Sequence, residues 1–105
     1  MIYLSASFQA KEGKEVELEK LLSGMVPETA REKGVLEYRL HRLDSSEREF
    51  FFYEKYESQE ALDSHLASAH YKSLVKNLDG LLESPPAVEM YTLLGSIPEG
   101  SEGEN

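Results

Sequence analysis

Cysteine is absent from this 105-residue chain, so disulfides, thiolate metal sites and cysteine nucleophiles are excluded outright. Basic residues are scarce, with 11 Lys and Arg against 20 Asp and Glu and a formal net charge of -9. That charge repels phosphate backbones and anionic lipid. The Lys and Arg are scattered among acids instead of forming a stripe, so nucleic acid is not an expected partner. No apolar run approaches the roughly 20 residues that span a bilayer. The start, Met1-Ile2-Tyr3-Leu4-Ser5, lacks a basic region and a sustained apolar stretch, so a cytoplasmic protein without a membrane partner is the expectation. Gly13 and Gly34 are isolated and form no phosphate loop, and no serine sits in a Gly-x-Ser-x-Gly elbow. His65 and His70 are five positions apart, not the three or four that put two ligands on one helical face. His41 is expected on the opposite side of a sheet, so no metal site is predicted.

What is present suits one domain. Hydrophobic residues make up 40% of the chain, enough for a core, and the length allows two helices against one sheet but not two domains. Residues 2–9 alternate as a strand does, with Ile2, Leu4, Ala6 and Phe8 on one face. Leu18, Leu21, Leu22, Met25, Val26 and Thr29 then form one helical stripe, which Gly24 and Pro27 should kink or restart and Gly34 should end. Residues 36–43 and 49–57 read as two strands joined by Asp44-Ser45-Ser46-Glu47, a hairpin. Ser58 sits at an N-cap position and opens a second helical region running to about Glu83. There Leu62, Leu66 and Ala69 share one face, while Tyr71, Leu74, Val75, Leu78 and Leu82 share another. An elbow near Ser68 to His70 would reconcile the two stripes. Pro85-Pro86 ends the helix, and residues 87–95 alternate as a last strand.

The order β-α-β-β-α-β predicts an α+β, ferredoxin-like domain over residues 1–95, with both helices on one face of a four-stranded antiparallel sheet. Residues 96–105, with Glu99, Glu102, Glu104 and no basic residue, read as an acidic flexible tail. Period 2 points Leu36, Tyr38, Leu40, Phe50, Phe52, Val88, Met90 and Leu94 at the helices. It sends Tyr3, Arg39, His41, Phe51, Tyr53, Tyr91 and Leu93 outward. So aromatic an outer face predicts a homodimer packed sheet to sheet, with His41 at the interface.

Parity also puts Glu54 and Tyr56 on the helix-facing side, where polar groups need partners. His65 flanks the Leu62/Leu66 stripe above them. A His and a carboxylate meeting in an apolar cleft are the material of a general base with an orienting partner, and equally of a satisfied structural pair. His70 and Tyr71, at the elbow, suit a cavity mouth or a packing role.

Several segments in order resemble the antibiotic biosynthesis monooxygenase family and its quinol monooxygenase-like members. They are Ala10-Lys11-Glu12-Gly13-Lys14, Glu32-Lys33-Gly34-Val35-Leu36-Glu37-Tyr38-Arg39-Leu40-His41-Arg42, Phe52-Tyr53-Glu54-Lys55-Tyr56 and Ser64-His65-Leu66-Ala67-Ser68-Ala69-His70-Tyr71. The resemblance spans residues 2 to about 94. It implies a dimeric α+β barrel and oxygenation, without flavin, metal or heme, of a small quinol or phenol by O₂ in an apolar pocket. It places Glu54, Tyr56 and His65 at that pocket, with Tyr38, Phe52, His70 and Tyr71 as substrate-binding lining. His65 would be base or substrate anchor, Glu54 its orienting partner, and Tyr56 an aromatic wall and hydroxyl. Oxygenating members often have Trp where this chain has Tyr56, and heme-degrading relatives have Asn near Ala6, which disfavours heme degradation. Relatives that isomerise small hydroxycarbonyl metabolites leave that reaction open, as they do a non-catalytic ligand-binding or stress-response module.

Overall fold

A computed structural model describes residues 1–98, and most of the expected acidic tail lies outside them. The elements are β1 (Ile2–Gln9), α1 (Glu15–Ser23), α2 (Met25–Thr29), β2 (Val35–Arg42), β3 (Glu49–Tyr56), α3 (Gln59–Leu66), α4 (Ala69–Asn77) and β4 (Ala87–Tyr91). The four strands form one antiparallel sheet in the order β2-β3-β1-β4. This is the ferredoxin-like α+β arrangement that the element order predicts. Among the described residues no helix is long and apolar enough to cross a membrane.

Both helical regions break where the pattern says they should. Gly24 separates α1 from α2. Pro27 falls within the first turn of α2, where its missing N–H leaves no helical bond unmade. Ser58 Oγ caps α3 by accepting from the Ala61 amide at 3.1 Å. At the elbow Ser68 Oγ accepts from the Tyr71 amide at 3.2 Å and donates to the His65 carbonyl at 2.7 Å. One serine thus ends α3 and starts α4, which lets two short helices each bury their own stripe.

The inner face of the sheet carries the core. Phe8 and Phe52 meet edge to face at 6.2 Å, with Leu18, Leu22, Met25 and Leu74 packed over them. Leu4, Tyr56, Ala61 and Leu62 form a second cluster. On the outer face His41 stacks on Phe51 at 4.5 Å, and Ser5 Oγ lies 2.6 Å from the Tyr91 hydroxyl. There Tyr3, Phe51 and Tyr53 are half-buried, while Arg39, His41 and Tyr91 are exposed.

Four expectations need correction. A β-bulge between Val35 and Glu37 turns Leu36 outward, and Val35 takes its place against the second cluster. The second helical region ends at Asn77, not Glu83. Gly80, at φ +80°, then turns the chain so that Leu82 bridges to Ala10. The last strand stops at Tyr91. Val88 and Met90, expected under the helices, are each 58% exposed and Leu94 is 95% exposed, because neither α3 nor α4 reaches over that edge of the sheet.

Candidate active site

Between the inner face and the paired helices lies a cavity of about 520 Å³. That volume falls in the range of small-molecule sites. Its floor is Leu4, Ala6, Phe8, Tyr38, Phe52 and Glu54, and its roof is Leu62, His65, Leu66, Tyr71, Leu74, Val75 and Leu78. Pro86, Val88 and Met90 line the β4 side, so two of the apolar residues that the helices leave uncovered, Val88 and Met90, form part of a wall of the cavity. Leu66 and Val75 are likewise half-exposed helix residues that face this space instead of packed core.

Glu54 is the one acid in the lining among the described residues. Alternation along β3 buries Phe50, Phe52, Glu54 and Tyr56 together. The Tyr56 hydroxyl donates to Glu54 Oε1 at 2.5 Å, and Tyr56 is itself fully buried. Loss of water around Glu54 raises its carboxyl from the ordinary value to about 7, opposed by the Tyr56 hydrogen bond and assisted by the charge of Glu32. The Tyr56 and Tyr38 phenols are both driven upward, first by burial and then by the charge of Glu54. Both stay protonated, and Tyr56 donates to Glu54.

His65 lies on the roof, almost fully buried, with ring centroids of Tyr38, Tyr56, His70 and Tyr71 at 5.4, 5.7, 5.8 and 5.5 Å. Its Nδ1 is 2.8 Å from Glu32 Oε2, and His70 Nε2 reaches the same oxygen at 2.6 Å. With Nδ1 held, Nε2 is the ring nitrogen left to exchange a proton with a ligand.

Of the residues singled out from the sequence, Glu54, His65, Tyr38, Phe52 and Tyr71 line one cavity. Tyr56 sits behind Glu54 and His70 beside His65, outside the lining. The expected Glu54–His65 pairing is replaced by two pairings, Glu54 with Tyr56 and His65 with Glu32. Glu32 is the residue that periodicity missed. It lies between α2 and β2, where no repeat fixes a side chain's direction. Its one sequence signal is its place at the head of the Glu32-Lys33-Gly34 segment. The fold also brings together a group that could hold a metal, contrary to the expectation from spacing. The elbow puts His65 and His70 on different helices, so their spacing in sequence no longer governs their separation. Glu32, His65 and His70 offer three ligand atoms within 4.8 Å of one another.

Comparison with known proteins identifies the family and the fold. The family model for antibiotic biosynthesis monooxygenase matches residues 1–77, which include every polar residue of the site. Rv0793 of Mycobacterium tuberculosis, named only as a candidate monooxygenase, is 34% identical over 84 residues, 80% of this chain and 79% of that protein. Its solved structure aligns with a TM-score of 0.85 at 29% identity, covering 92% of this chain and 98% of that one. Protein SO0527 from Shewanella oneidensis aligns with a TM-score of 0.82 at 34% identity, over 86% of this chain and 87% of that one.

Proposed function

The chain belongs to the antibiotic biosynthesis monooxygenase family, and from that premise we propose that it oxygenates a small quinol or phenol in the cavity between sheet and helices. The observation that carries this reading is Glu54. It is a carboxylate in a largely apolar cavity, poised by burial to take a proton near neutral pH. A phenolic hydroxyl is the substrate group that such a base suits, and the flat apolar walls suit the attached ring.

In this reading Glu54 or His65 Nε2 removes the hydroxyl proton. The electron-rich anion gives one electron to O₂, and the two radicals combine at a ring carbon. The resulting hydroperoxide loses water as its ring C–H proton leaves and the O–O bond breaks. For a simple quinol, quinol plus O₂ gives hydroxyquinone plus water. The substrate supplies both electrons needed to reduce the second oxygen atom, so the balance requires no flavin, heme or external reductant. Glu32 positions His65, and Tyr56 supports the Glu54 carboxylate instead of forming an aromatic wall.

The reading predicts O₂ consumption with a suitable quinol, slowed roughly 10²- to 10⁴-fold in Glu54→Gln or His65→Ala, as loss of an acid–base group does. Full activity in both variants would remove this site from the reaction. Substrate rearrangement without O₂ uptake would instead support isomerisation by the same groups. Binding without any changed product would support a non-catalytic module.

The same reading includes a homodimer. The half-buried Tyr3, Phe51 and Tyr53, with Arg39, His41 and Tyr91 around them, offer a self-complementary aromatic face of the kind that C₂ interfaces cover.

A further inference from the structure

We infer that Glu32, His65 and His70 form a binding site for one divalent transition-metal ion of the zinc type, separate from the Glu54 side of the cavity. The three groups come from three segments: the α2–β2 connection, the last turn of α3 and the first turn of α4. Each offers one ligand atom, and the three lie within 4.8 Å of one another; Glu32 Oε2 is 2.8 Å from His65 Nδ1 and 2.6 Å from His70 Nε2.

The hydrogen-bonding arithmetic of this cluster is unusual. One carboxylate oxygen faces two imidazole nitrogens at once, at 2.8 and 2.6 Å. Without a cation, both nitrogens must carry protons to donate, which fixes two tautomers around a single acceptor oxygen. The other oxygen, Glu32 Oε1, is buried with no hydrogen-bond partner among the described residues. A cation satisfies all of these atoms together. It accepts one lone pair from each ring, replaces the two protons, and lets the carboxylate bind through either or both oxygens.

The distances are compatible after a small expansion. Ligand bonds of about 2.0–2.2 Å around a tetrahedral ion place neighbouring donors roughly 3.3–3.5 Å apart, so each ring nitrogen must draw back from the Glu32 oxygen by several tenths of an ångström. Glu32 is on a connection, and His70 is partly exposed at the start of α4, so both can move while buried His65 stays fixed. Two imidazoles and a carboxylate favour Zn²⁺ and its transition-metal neighbours over Mg²⁺ and Ca²⁺, which prefer all-oxygen shells. Three protein ligands leave a fourth position for water or a ligand.

The test is isothermal titration of chelator-stripped protein with ZnCl₂ and, separately, MgCl₂, repeated on Glu32→Gln and His70→Ala. Visible absorption of the Co²⁺-loaded protein serves as an independent reading of the ligand set. The expected result is one Zn²⁺ per chain, no Mg²⁺ binding, and the d–d bands of a low-coordinate nitrogen–oxygen site. Each variant should weaken Zn²⁺ by at least the roughly 10- to 100-fold that losing even an outer-shell partner costs. Circular dichroism would establish that the variants are folded, and His70→Asn supplies a second substitution at the more exposed ligand. No Zn²⁺ binding into the millimolar range, or binding unchanged in folded Glu32→Gln and His70→Ala, would overturn the site and leave the cluster as a hydrogen-bonded clamp.

Discussion

Glu54 couples the cavity's chemistry to the protein's stability. Its carboxyl is raised in the fold from the ordinary glutamate value to about 7, so between those values the native state holds a proton that the unfolded chain releases. Stability from this group is therefore complete at acid pH and is lost as pH rises toward and through about 7. The comparison that isolates it is urea unfolding of wild type and Glu54→Gln at pH 4.5 and pH 8. The variant should gain on wild type at the higher pH, by up to about 3 kcal/mol. An equal difference at both values would mean that the carboxyl is not held up by burial. In turnover the sign reverses, since the base must be ionised. The rate constant kcat/KM should rise with pH to a plateau above about 7 in wild type, and that step should vanish in Glu54→Gln. The sequence revealed this residue because period 2 along β3 leaves one side for Phe50, Phe52, Glu54 and Tyr56. It did not reveal the pairings. A contact between His65 and Glu32, 33 positions apart, depends on how a connection folds back over a helix end.

Among the elements, the α2–β2 connection bears most on the site, because it delivers Glu32. Gly34 holds its end at φ +85°, and a Cβ there would come within 2.7 Å of the Ala61 Cβ on α3. Strain and clash act together. Gly34→Ala should cost more than about 1 kcal/mol, read as a lowered Tm, and an unchanged Tm would show that the connection can re-form elsewhere. The elbow is the second such element. Ser68→Ala removes both an amide cap and a bond to the His65 carbonyl, so it should cost about 1 kcal/mol and loosen the placing of His65 and His70. Such features were legible where local chemistry decides, as in Ser58, Gly24 with Pro27, and the break between two apolar stripes. They were not legible where tertiary pairing decides. The bulge that expels Leu36 arises from β2 pairing with β3, and the early end of α4 follows from Gly80 and the bridge from Leu82 to Ala10.

At the scale of the whole molecule, one sheet face is devoted to the cavity and the other to an aromatic surface. Phe51→Asp, which puts a charge into that outer surface without touching the cavity lining, should shift sedimentation from two chains to one at micromolar concentration. A wild-type mass of one chain would contradict the dimer. The ferredoxin-like topology was readable because every strand and helix had its own periodicity. The open β4 side of the cavity was not, since Val88 and Met90 have the alternation of core residues and lack only a helix above them. The central claim, that this largely apolar cavity with Glu54 and His65 carries out oxygenation, is tested most directly by oxygen uptake. Chelator-stripped protein would be given a panel of quinols and phenols, with Glu54→Gln and His65→Ala alongside. The account predicts uptake by wild type that yields oxygenated product and falls by orders of magnitude in the variants. Uptake at the same rate in folded variants, or none by a wild type that binds the same compounds, would contradict it.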